Sequence, residues 1–177
     1  MEKAKELFYR YHGNRFYMDH DGVGWEYDSY HVSKEQEERW TEELISGFLS
    51  SYLRGREALR AYSAVVDLIG RGVKGENWDA CLYYPLRAGH LDDVTILFLL
   101  PDSLRMAERA VKKRQFSREE AESYRRELER YHRLALDRAE KGTMTRAEDY
   151  EMREFSDPAI VAEHLEALEK KWDGLFR

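Results

Sequence analysis

A chain of 177 residues has the length of one domain and buries roughly 70% of its unfolded surface, so its core can hold without disulfides or a metal. Its formal net charge of −6 disfavours a general nucleic-acid binder, because phosphate contacts need a positive field. Aromatic residues at 13% are too many for a disordered chain, while charged residues at 36% require each helix to keep a broad face in water.

The single cysteine, Cys81, excludes an internal disulfide and fits a reducing compartment. The opening residues MEKAKELFYRYHG carry charges instead of an apolar signal core, and no run approaches the ~20 apolar residues of a membrane span. The expected location is cytoplasmic, with no membrane partner.

In chain order, residues 2–12 read as a short helix with Leu7, Phe8 and Tyr11 on one side, stopped by Gly13-Asn14. Residues 15–31 differ in character. Phe16, Tyr17, Trp25, Tyr27 and Tyr30 alternate with Asp19, Asp21, Glu26 and Asp28, and Asp21-Gly22 is a hairpin-type turn signal. A small β-ribbon or an irregular ordered loop, packed on the first helix, is expected there.

Ser33-Lys-Glu-Gln36 is a capping-box pattern, and Trp40, Leu44, Ile45, Phe48, Leu49, Tyr52 and Leu53 follow at helical spacing. After Gly55, a second helical stripe runs through Leu59, Tyr62, Val65, Val66 and Ile69. Residues 73–89 are irregular, with Trp78, Cys81, Leu82 and Tyr83 suited to a short buried helix or turn.

The longest apolar run, Val94–Leu100, is interrupted only by Thr95 and belongs at the centre of the fold. Asp92 and Asp93 suit a helix start. Pro101 disfavours helical geometry at Leu100, so the spacing predicts one helix ending there and a second beginning at Asp102-Ser103.

A second capping box, Ser117-Arg-Glu-Glu120, opens a long helix to about Lys141 with Tyr124, Leu128, Tyr131 and Ala135 as its stripe. Thr145-Arg-Ala-Glu148 is a third such pattern, for a short helix to about Phe155. Ser156-Asp157-Pro158 starts the last helix, whose stripe is Val161, Leu165, Leu168, Trp172 and Phe176. The expectation is an all-α fold: one domain over 1–177, a helical bundle or a short stack of helical hairpins, with about six to eight helices.

The chemical motifs are incomplete. Asp19, Asp21 and Gly24 match positions 1, 3 and 6 of a calcium loop, but Val23 and Tyr30 stand where oxygen ligands are needed. Glu129-x-x-His132 is half of a di-iron helix, and His164 has Val161 rather than a carboxylate three residues before it. Gly70-Arg-Gly72 lacks a phosphate loop's Lys-Ser/Thr ending. Cys81 sits among apolar neighbours, as a structural thiol does. No metal, cofactor or catalytic residue is assigned.

Three functions of different classes remain. The first is a non-enzymatic binding or regulatory protein whose surface includes Asp19, Asp21, Trp25, Glu26, Tyr27, Asp28 and Tyr30, facing a protein partner of basic character. The second is an enzyme, metal-dependent or not, with a cleft assembled from distant acidic and His residues. The third is a self-associating structural protein, a homo-oligomer. The aromatic rings of residues 15–31 either form that binding surface or serve as a lid packed on the helices.

Overall fold

The computed structural model describes residues 1–71, 77–148, 155 and 157–175, with residue 175 described by its backbone alone. The described residues are all-α: nine helices and no strand. They are α1 (Glu2–Tyr11), α2 (Arg15–His20), α3 (Gly24–Ser29), α4 (Lys34–Leu49), α5 (Gly55–Gly70), α6 (Trp78–Arg87), α7 (Asp93–Lys112), α8 (Arg118–Glu140) and α9 (Pro158–Leu175). None is long and apolar enough to cross a membrane. The chain divides into two compact units, Met1–Ser51 with Ala64–Cys81 and Tyr52–Ser63 with Leu82–Arg177.

In the first unit, α1 buries Ala4, Leu7 and Phe8 against Met18, Tyr27, Trp40 and Leu68. The turn after α1 passes through left-handed backbone at His12 and Gly13. Gly13 has a second requirement, since a Cβ there would sit 2.7 Å from the Phe8 ring. The expected β-ribbon is absent: residues 15–29 form two short helices around a turn at Gly22, φ 74°. β propensity is overridden by tertiary burial, because Met18 at 0% and Tyr27 at 4% exposure anchor the two helices in the core. Arg15 then ties them together, donating to the Gly24 carbonyl at 3.3 Å and to Asp28 at 2.6 Å. These two helices carry the count past the expected eight.

Ser33 caps α4, its hydroxyl accepting from the Gln36 N–H at 3.2 Å. The helix stops at Leu49, short of the expected Leu53. The Ser50 hydroxyl donates to the Ser46 carbonyl at 2.9 Å and that of Ser51 to the Phe48 carbonyl at 2.6 Å. Such bonds compete with continuation of the helix. Tyr52 is consequently 81% exposed instead of joining the buried stripe. Cys81 on α6 is fully buried, and this desolvation pushes its thiol up to about 12, leaving little thiolate at neutral pH.

The second unit is built on α7. Eleven of its twenty residues are buried, Leu97, Leu99, Leu100 and Leu104 completely. Each such leucine contributes about 1.5–3 kcal/mol through removal from water. The helix does not break at Leu100; it runs through Pro101. A proline there removes the N–H that would bond the carbonyl four residues back, Leu97. His164 of α9 replaces it: its Nε2–H donates to the Leu97 carbonyl at 3.0 Å. A carbonyl accepts only, so the ring nitrogen must carry the proton. A donor on a neighbouring helix thus removes part of the penalty that the sequence pattern assigns to an internal proline.

This substitution of one donor for another has a measurable consequence. His164→Phe keeps a ring beside Phe155 but removes the donor, and is expected to cost about 1–3 kcal/mol. In a Pro101→Ala background the backbone N–H regained at position 101 can take over, so the same change should cost at least about 1 kcal/mol less. Urea unfolding of the four proteins in this cycle measures the coupling; additive losses would refute the assignment.

The Ser117 capping box is present in full, and the α8 stripe Tyr124, Leu128, Tyr131 and Ala135 is buried as its spacing predicts. Tyr124 bonds Ser103 of α7 at 2.6 Å, and the Ser103 hydroxyl donates to the Leu82 carbonyl of α6 at 2.7 Å. Thr145 does not cap a helix at its own position. Its hydroxyl donates to Asp93 Oδ2 at 2.9 Å and accepts from the Asp93 N–H at 3.0 Å. The helix expected to run on to Phe155 falls largely on 149–154, outside the described residues. On α9, Asp157 accepts from the Ala159 N–H at 2.8 Å, and Val161, Leu165, Leu168 and Trp172 are buried as expected, while Phe176 lies outside the described residues.

Candidate functional site

The aromatic and acidic residues of α2 and α3 separate into two sets. Tyr27 belongs to the core. Its hydroxyl donates to Glu37 at 2.7 Å, and its pKa is driven far above the usual tyrosine range by burial first and by the Glu37 carboxylate second. Tyr30 is half-buried and donates to Glu26 at 3.1 Å. Trp25 is 75% exposed, Phe16 71% and Tyr17 56%. The Phe16 and Tyr17 rings meet edge to face at 5.5 Å. Thus Trp25 is placed as a surface residue, Tyr27 is not, and Tyr30 stands between them.

Asp19, Asp21 and Asp28 are exposed, Glu26 is half-buried, and each has a partner. Asp28 pairs with Arg15 at 2.6 Å, and Asp19 lies 3.7 Å from the same guanidinium. Asp19 also lies close to Gly24. A Cβ on Gly24 would fall 1.7 Å from Asp19 Oδ1, so a larger residue there would turn this exposed carboxylate away from the start of α3. Asp21 accepts from Tyr11 at 2.9 Å and lies 3.0 Å from His20 Nδ1; these two bonds, His20 first, hold its pKa below the usual range. Glu26 meets Lys3 at 2.7 Å, and that contact, followed by Tyr30, lowers its pKa. Residues 15–28 hold four carboxylates against Arg15, with Lys3 of α1 on Glu26, so the surface stays net negative.

Phe16 and Tyr17 are two further exposed rings, on α2. Helical spacing could have indicated them, since only Met18 of α2 is turned fully inward. The calcium-like spacing of Asp19, Asp21 and Gly24 falls across the α2–α3 turn. No cluster of three His, Cys, Asp or Glu side chains suited to a metal occurs among the described residues.

A second site lies between α8 and α9, a cleft of about 400 Å³. His132 Nδ1 is 2.6 Å from Glu169 Oε1 in its wall, with Arg125, Glu129, Arg133 and Asp173 around them. A carboxylate bonded to Nδ1 fixes the tautomer of an imidazole, as a general base requires. Arg125 is occupied by Glu129 at 2.8 Å and Asp173 at 3.3 Å. No Ser, Thr or Cys lines the cleft among the described residues. Sequence spacing pairs His132 with Glu129; the partner is Glu169, thirty-seven residues away, and no local spacing announces it.

Comparison of the chain with protein-family models, with curated proteins and with solved structures finds no match.

Proposed function

We propose that this is a cytoplasmic, non-enzymatic binding protein that docks a basic protein partner on the α2–α3 face. The observation that carries the reading is the exposure of Phe16, Tyr17 and Trp25 on two short consecutive helices, beside Asp19, Asp21, Glu26 and Asp28. Large rings in water are costly to keep and supply contact area when a partner removes them from it. Carboxylates around them favour a positively charged partner and speed its approach. A buried, lone thiol suits a reducing compartment.

Titration with a short lysine- and arginine-rich peptide, followed by calorimetry, tests this. Binding should be saturable, weaken with salt, exceed that of an uncharged control, and fall at least about tenfold in Trp25→Ala. Equal binding by wild type and Trp25→Ala would overturn the reading. An enzymatic reading is favoured by one observation, the His132–Glu169 pair in the α8–α9 cleft. It requires that His132→Gln abolish a measurable turnover, with fold and stability unchanged.

A further inference from the structure

The same chain carries a surface of opposite character. Between residues 105 and 118, six cations stand against one carboxylate, Glu108, in a protein whose net charge is −6; at one border Asp102 pairs with Arg105 at 3.1 Å, and at the other Glu119, Glu120 and Glu122 follow. These residues cover the end of α7, the turn after it and Arg118, the first residue of α8. Lys112 pairs with Glu108 at 2.8 Å and Arg118 with Glu122 at 3.2 Å. Lys113 and Arg114 are exposed and have no ion-pair partner among the described residues. Beside this corner opens a groove of about 650 Å³, walled by Phe116, Ala121 and Trp172 and edged by Arg118, Glu122, Arg125 and Asp173. Its apolar wall residues and the basic corner beside it complement an exposed set of rings that shares two short helices with carboxylates, while Glu122 and Asp173 on its edge are held by Arg118 at 3.2 Å and Arg125 at 3.3 Å.

We infer that the partner of the α2–α3 face is a second copy of this chain, whose basic corner and Phe116–Trp172 groove receive Trp25, Phe16 and Tyr17. This inference rests on the α2–α3 face being a binding surface, and adds the identity of what it binds. The contact is heterologous: face on corner, not face on face. It therefore leaves a free face at one end and a free corner at the other, and growth beyond two copies follows unless a ring closes. Three aromatic side chains bury about 150–250 Å² each, below the roughly 800 Å² per partner of a standard interface, so the association is weak and concentration-dependent. Its charge pairing makes it sensitive to salt, because the screening length falls to about 3 Å at 1 M.

Sedimentation equilibrium of the full chain at low salt decides it. The average mass should rise above the monomer with concentration and return to the monomer in high salt. Trp25→Ala lacks the face, and Lys112→Glu with Lys113→Glu and Arg114→Glu lacks the corner; each alone should be monomeric. Their equimolar mixture restores one complete contact, so it should form a complex that stops at two chains. All these substitutions are at exposed side chains, and a circular dichroism spectrum identical to wild type confirms the fold. A wild-type protein that stays monomeric at every concentration, or a mixture that does not associate, overturns the inference. If the lysine- and arginine-rich peptide still binds in a Trp25-dependent way, the binding face stands and its partner is a foreign basic protein. If the peptide does not bind either, both readings fall.

Discussion

Replacing Asp93 with Ala is expected to lower stability by about 3 kcal/mol, the low end of the cost of breaking a buried pair. Asp93 is 1% exposed. Its Oδ1 meets Arg138 at 2.5 Å, and its Oδ2 accepts from the Thr145 N–H at 2.8 Å and the Thr145 hydroxyl. Its carbonyl accepts from Tyr131 at 3.2 Å, and the Val94 N–H donates to the Thr145 carbonyl at 3.2 Å. One carboxylate therefore fastens the start of α7, the end of α8 and the segment that follows α8. The loss stays at the low end because the Arg138 side chain is 39% exposed and can turn to water. The Val94 and Thr145 amides should exchange much faster in Asp93→Ala, while exchange within α4 is unchanged. A loss below about 0.5 kcal/mol would show that the clasp contributes nothing measurable.

Tyr27→Ala and Trp25→Ala should differ sharply although the residues are two apart. Tyr27 packs with its ring centroid 6.5 Å from that of Phe8 and bonds Glu37, so truncation opens a cavity and leaves a carboxylate without its donor. The expected cost is about 3–5 kcal/mol, as for other large core aromatics. Trp25 is 75% exposed, and its truncation should change stability by no more than about 0.5 kcal/mol. Urea denaturation of both proteins measures the contrast. Similar losses would mean that the α2–α3 rings act together as a lid.

These two sites show where sequence reading reaches and where it stops. The helices at Ser33 and Ser117, with their stripes, follow from capping chemistry and 3.6-residue spacing, which are local. Asp93 is legible as a first-turn acid and not as the centre of a clasp, because Thr145 and Arg138 reach it from about fifty residues away. Pro101 shows the same limit. Its effect on α7 is set by His164, which bonds the Leu97 carbonyl from sixty-seven residues away. In residues 15–31 composition marks an unusual surface, but Asp21-Gly22 is compatible with a turn between strands or between helices. Only the burial of Met18 and Tyr27 decides which, and with it which rings remain outside.

Binding at the α2–α3 face is tested most directly by a residue-resolved amide chemical-shift map of the protein as the lysine- and arginine-rich peptide is added. Saturable shifts are predicted at the Trp25 indole and at the exposed residues of 15–29, with Tyr27 and the α8–α9 cleft little changed. Shifts centred on His132 and Glu169, with residues 15–29 silent, would contradict it.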